Sequence, residues 1–163
     1  MKKILAAICL LSAFAVQADA QSLFETVYKN AVAVVNDPKA NDEQIHINQF
    51  KVTALNYIRN QVEKRKQTKD SYFYDSQAVN MTSFVTDFET NLIKARSIST
   101  AKRLAVINCY REATLKNPLF NDSDKSTSMV YVNDKATLTP FCLDCDWNKA
   151  YEMATQQVKD ILR

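Results

Sequence analysis

The chain has 163 residues and a formal charge of +3, with 21 basic against 18 acidic side chains and no glycine. An average chain of this length carries about eleven glycines, and their absence excludes a Gly-rich phosphate loop, a dinucleotide fingerprint and a Gly-x-Ser-x-Gly nucleophile elbow. The near-neutral balance also argues against a dedicated nucleic-acid binder, whose domains are far more basic.

The first twenty residues read as a leader. Lys2 and Lys3 precede an apolar run over 4–16 broken only by Ser12, and Ala18-Asp19-Ala20 puts small residues where signal peptidase reads them. The run falls short of the roughly 20 apolar residues that cross a hydrocarbon core. A cleaved signal peptide over 1–20 is therefore expected, followed by a single domain over 21–163. Losing Lys2, Lys3 and Asp19 takes the charge from +3 to +2. The lysine-led signal is of bacterial type and points to a periplasmic or secreted product, and no later segment reads as a transmembrane span. A domain of this size buries about two-thirds of the surface its unfolded chain exposes, enough for a core without metals or many disulfides.

Helix signals then follow one another. Ser22-Leu23-Phe24-Glu25 has capping-box spacing, and Phe24, Val27, Tyr28, Ala31 and Val35 recur at helical intervals until Asp37-Pro38. Asn41-Asp42-Glu43-Gln44 opens a longer helix whose stripe holds Ile47, Phe50, Ala54, Tyr57 and Ile58, ending in Lys64-Arg65-Lys66. The third helix has the cleanest stripe: Ala78, Met81, Phe84, Val85, Phe88 and Leu92. Burying those six contributes roughly 8–15 kcal/mol before chain entropy is subtracted. Ser99 is expected to cap a fourth helix with Ala101, Leu104, Ala105, Cys109 and Ala113 facing inward, closed by Asn117-Pro118.

Residues 121–128 are polar and turn-like. The stretch 121–126 faintly resembles a calcium loop, yet it lacks the turn glycine and the distal glutamate. Two short strands, 129–132 and 135–139, are expected about Asn133-Asp134. A lone hairpin is marginal in water, so this one must lie against the helices or stay mobile. A last helix, capped by Asp144 or Asp146, carries Trp147, Ala150, Tyr151, Ala154, Val158, Ile161 and Leu162 on one face. The predicted fold class is mostly α: a single-domain bundle of about five helices with a short β-hairpin before the last one.

The sharpest local motif is Cys142-Leu143-Asp144-Cys145. As a redox pair its first thiol would be activated by the following helix N-terminus. Against that, Asp144 and Asp146 repel a thiolate, and no strand–helix–strand unit precedes the motif. As a structural disulfide, the candidates are Cys109, Cys142 and Cys145, since Cys9 leaves with the leader. The bond closes Cys142 to Cys145 or joins one of them to Cys109, the latter contributing about 3–4 kcal/mol in the entropic account. A third alternative leaves all three as buried thiols. Zinc would need the same three cysteines plus His46, with no local spacing for the two distant ligands. His46 is the single histidine through which base-catalysed chemistry would run, and nothing in sequence pairs it with a nucleophile.

The segment from Lys64 to Tyr74 combines a basic run with three successive aromatics. Read functionally, Lys64, Arg65, Lys66, Lys69, Tyr72 and Phe73 form a patch for an anionic glycan, a nucleic acid or an acidic partner, and the overall charge disfavours the nucleic acid. Read blandly, cations at a helix C-terminus complement its dipole. Successive helical residues sit about 100° apart, so the three rings cannot all face one core stripe. The sequence thus points to an exported, non-enzymatic protein that binds another protein or an envelope component, with no cofactor, metal or catalytic residue assigned. Its alternatives are a thiol–disulfide protein using Cys142 and Cys145, and a carrier holding a small apolar ligand between helices.

Overall fold

The computed structural model describes residues 22–122, 129–134 and 137–163, with backbone alone for 129–140; the expected signal peptide and most of the polar turn at 121–128 lie outside these residues. Five helices follow in order, α1 (Leu23–Val35), α2 (Asp42–Lys64), α3 (Ser71–Ile98), α4 (Thr100–Lys116) and α5 (Trp147–Leu162), with the strands β1 (Met129–Asp134) and β2 (Thr137–Cys142) before the last. The bundle with a hairpin excursion is the architecture that the apolar periodicity predicts.

Each helix starts where a side chain can satisfy its open backbone donors. Asn41 and Gln44 form a reciprocal capping box on α2. Asp70 accepts from Phe73 N at 2.8 Å, and Ser99 accepts from Lys102 N at 3.1 Å. On α1 the box is only half made. Ser22 accepts from Glu25 N, but the Glu25 carboxylate turns away to pair with Arg59 of α2. With no glycine to end α2, Lys66 takes the left-handed conformation at φ 51°. Its N–H bonds Glu63 O at 2.9 Å while Gln67 N–H reaches Val62 O at 3.0 Å, the paired pattern of a Schellman ending.

The long helix α3 is central, packing against α1, α2, α4 and α5, while α5 also packs against α4. All six residues of its predicted stripe are buried. The core is organised around rings. Trp147 of α5 meets Phe50 of α2 and Phe84 of α3 edge-on at 5.8 and 5.4 Å, and Phe141 at the end of β2 meets Phe50, Phe84 and Phe88. Tyr110 of α4 closes the cluster against Phe84 and Phe88. Such edge-to-face pairs add about 0.5–1.5 kcal/mol each beyond the area they bury.

Two expectations are corrected. The inward face of α4 is rotated: Val106, Ile107, Cys109, Tyr110, Ala113 and Thr114 are buried, whereas Leu104 is 49% exposed and Ala101 is exposed. The large Tyr110 ring, omitted from the predicted stripe, takes the place against α3 and turns the helix with it. The hairpin is also shifted. Asp134 pairs with Thr137, so Asn133 and Asp134 belong to β1 rather than to the turn expected there. The hairpin does lie on the helices, β1 against α2 and β2 against α4.

Candidate functional site

The predicted partner patch folds into one exposed corner where α2 turns into α3. Residues 63–72 are exposed without interruption, and Tyr72 at the first turn of α3 is 79% exposed. The phasing argument about the three aromatics holds: Tyr72 points outward, whereas Phe73 and Tyr74 are half-buried against the core. Two of the four cations have local roles. Arg65 hydrogen-bonds Gln61 Oε1 through Nε at 3.2 Å and lies 5.6 Å over the Phe120 ring; Lys69 lies 4.9 Å over Phe73. Lys64 and Lys66 have no ion pair among the described residues.

Beside this corner is a cleft that sequence reading missed, because its walls come from three helices. It measures about 350 Å³ and is lined by Ser22, Phe24 and Glu25 of the α1 start, Arg59 of α2, and Ser71 and Tyr74 of α3. The Arg59 guanidinium is fixed from three sides. It pairs with Glu25 and stands 5.1 Å from the ring centres of both Phe24 and Tyr28. Tyr74 packs edge-on against Phe24 at 5.2 Å, and Asp75 accepts Phe24 N at 2.8 Å, tying the start of α1 to α3. No sequence signal marks it, since the Glu25–Arg59 pair that builds it joins residues 34 positions apart. A second, smaller groove of about 210 Å³ lies between Val27, Asn30, Ala31, Val34, Asn48, Lys51 and Thr82. Burial lowers the Lys51 ammonium there, against an opposing pull from Glu89.

The three cysteines among the described residues, Cys109, Cys142 and Cys145, are all buried, and no candidate bond joins any two of them. Cys109 Sγ faces Ala154 O and Gln157 Oε1, and burial pushes its thiol up to about 11. The Cys145 thiol is raised well above its ordinary value, first by burial and then by Cys142, Asp146 and Asp144. A thiol held protonated is a poor nucleophile. The four-ligand zinc set does not assemble either: His46 is exposed on the first turns of α2, and among the described residues no three His, Cys, Asp or Glu side chains are grouped to hold a metal.

What the Cys142–Cys145 segment does locally is anchor the chain. Asp144 is 0% exposed and accepts Leu119 N at 3.1 Å and Phe120 N at 2.7 Å on Oδ1, and Asp122 N at 2.6 Å on Oδ2. Asp146, the other candidate cap, is the one that caps α5, accepting from Asn148 N at 3.2 Å. Gln77, buried on α3, donates to Asp146 Oδ1 and accepts Trp147 N at 2.9 Å. Asp122 in turn accepts from Tyr57 Oη at 3.0 Å and Gln61 Nε2 at 2.9 Å, and burial leads the causes that raise the Tyr57 phenol.

The class these features define is a five-helix bundle with an inserted hairpin, and no helix among the described residues is long and apolar enough to cross a membrane. No family model matches the chain, and no match is found among curated proteins or solved structures.

Proposed function

We propose that the chain is an exported, non-enzymatic binding module that meets an anionic protein or envelope component through the corner between α2 and α3. The observation that carries this reading is the unbroken exposed run at 63–72, with Lys64 and Lys66 in no ion pair among the described residues and the Tyr72 ring presented to solvent. Solvated lysines cost little to hold apart, whereas a large exposed ring next to them is the composition of an interface anchor. The non-enzymatic part is supported by the separation of the thiols from the single histidine: Cys109 Sγ faces Ala154 O and Gln157 Oε1 and Cys142 Sγ faces Asp144 O inside the bundle, while His46 is at the surface.

The test reverses charge at three exposed sites together, Lys64→Glu, Lys66→Glu and Lys69→Glu. Helical circular dichroism should be unchanged, because surface substitutions of this kind stay within about 0.5 kcal/mol. Retention on immobilised poly-glutamate should fall to background, and retention of the unaltered protein should weaken as salt rises. Equal retention of the triple variant would remove the corner as the contact.

A further inference from the structure

Resting on that reading of the corner, we infer that the neighbouring cleft is a saccharide subsite, so that the anionic component is an acidic glycan, one ring entering the cleft while its charged neighbours meet the lysines. The cleft and the basic loop are continuous in the chain. Ser71 and Tyr74 line the cleft, Tyr72 follows Ser71 directly, and Lys69 precedes it by two positions, with the α3 cap Asp70 between them. Arg59 stands five residues before Lys64 on α2, about 1.4 helical turns.

The chemistry inside the cleft differs from that of its rim. Arg59 is already paired with Glu25, so the interior has no excess charge and gives an incoming ion no net attraction. What it offers is a fixed donor beside a fixed acceptor. Arginine carries five N–H donors, more than its bond to Glu25 consumes, and the carboxylate keeps lone pairs to accept others. The hydroxyls of Ser22 and Ser71 can both give and take hydrogen bonds, as can Tyr74 Oη, which has no protein partner among the described residues.

Vicinal hydroxyls are the ligand groups that use adjacent donors and acceptors together, and a sugar ring also presents an apolar C–H face to aromatic walls such as Phe24 and Tyr74. Small-molecule sites begin at about 300 Å³, so a cleft of about 350 Å³ has room for a short saccharide. The site is also preformed. The double stacking of Arg59 and the Asp75 tie hold its walls before any ligand arrives, which lowers the ordering cost of binding.

The experiment titrates the protein with three probes: a galacturonic acid oligomer, a neutral galactose oligomer of the same length, and poly-glutamate. Two variants address the cleft alone. Arg59→Met keeps an unbranched stem over the rings and removes the donors, and Ser71→Phe blocks the mouth from an exposed position. Either one can be read by itself if the other lowers helical content. The uronic acid oligomer should bind best, and each cleft variant should weaken it by about tenfold, the loss of a single well-placed anchor. Poly-glutamate binding should be untouched by the cleft variants and abolished by the triple lysine variant. If the uronic acid oligomer binds no better than poly-glutamate, and the cleft variants change neither, the saccharide subsite is wrong while the corner stands. If the neutral oligomer binds as well as the acidic one, the glycan's charge is not recognised and the acidic-glycan inference fails. If neither anionic polymer binds, both readings fall together.

Discussion

Two loops deliver the chain into helices, 65–70 into α3 and 143–146 into α5, and each ends in an aspartate whose carboxylate caps the helix that follows. Around that shared cap they are opposites. The loop before α3 is exposed at every residue, whereas Leu143, Asp144 and Cys145 are buried. In the first, Arg65 and Lys69 keep one face on the Phe120 and Phe73 rings, and the side chain of Lys66 is left to solvent, available for a partner. In the second, water is excluded, and the Asp144 carboxylate is tolerable only because three backbone N–H groups converge on it. Polar composition therefore does not place a loop. What places it is whether the rest of the chain supplies donors for the charges it carries.

The strongest way to break this comparison is at Asp144. Asp144→Ala leaves three donors without their acceptor, the Phe120 N–H in a buried site, and hydrogen bonds to a carboxylate contribute about 1.5–3 kcal/mol each without adding fully. A loss of about 3–5 kcal/mol is expected in urea unfolding, with Asp144→Asn recovering part because its Oδ1 still accepts. An Asp144→Ala variant as stable as the parent would mean that the buried loop is held by its apolar neighbours alone.

A smaller effect is expected from pH. Burial raises Cys109 from 9.0 to about 11 and raises Cys145 well above 9.0, so the folded chain keeps protons that the unfolded chain releases. That contribution to stability is complete below pH 9 and is lost as pH climbs through about 11. The urea midpoint should hold steady from neutral pH to near 9 and then decline. Cys109→Ala should decline less steeply, and a slope unchanged by that substitution would assign the alkaline loss to Cys145 and the raised phenols of Tyr57 and Tyr110. The smallest effect lies in the exposed loop. Lys66→Gly places the residue that prefers φ 51° where lysine now stands, and should stabilise the chain by about 0.5–1 kcal/mol. A destabilised Lys66→Gly variant would show that this side chain contributes a contact to the fold.

Much of the scaffold was legible because its determinants are local. The caps at Asn41 and Ser99, the stripe Ala78–Leu92 and the α5 face are each set by residues within a turn or two of one another. The basic-aromatic corner was legible for the same reason, since ten successive residues carry it. The α4 face was misjudged because local spacing gives no weight to which neighbour a ring will meet, and Tyr110 meets two phenylalanines of α3. The cleft was invisible, since Ser22, Arg59 and Tyr74 are far apart along the chain.

By itself the sequence determined that helices form, where most of them begin and end, and that one polar corner with an outward aromatic would remain at the surface. Those outcomes follow from capping and from apolar spacing, which act between residues a few positions apart. Only the tertiary structure decided that Asp144 goes inside, that Cys109, Cys142 and Cys145 are buried, and that Glu25 leaves its own helix cap for Arg59. Each of these depends on the donors, rings and charges that distant segments bring to one place.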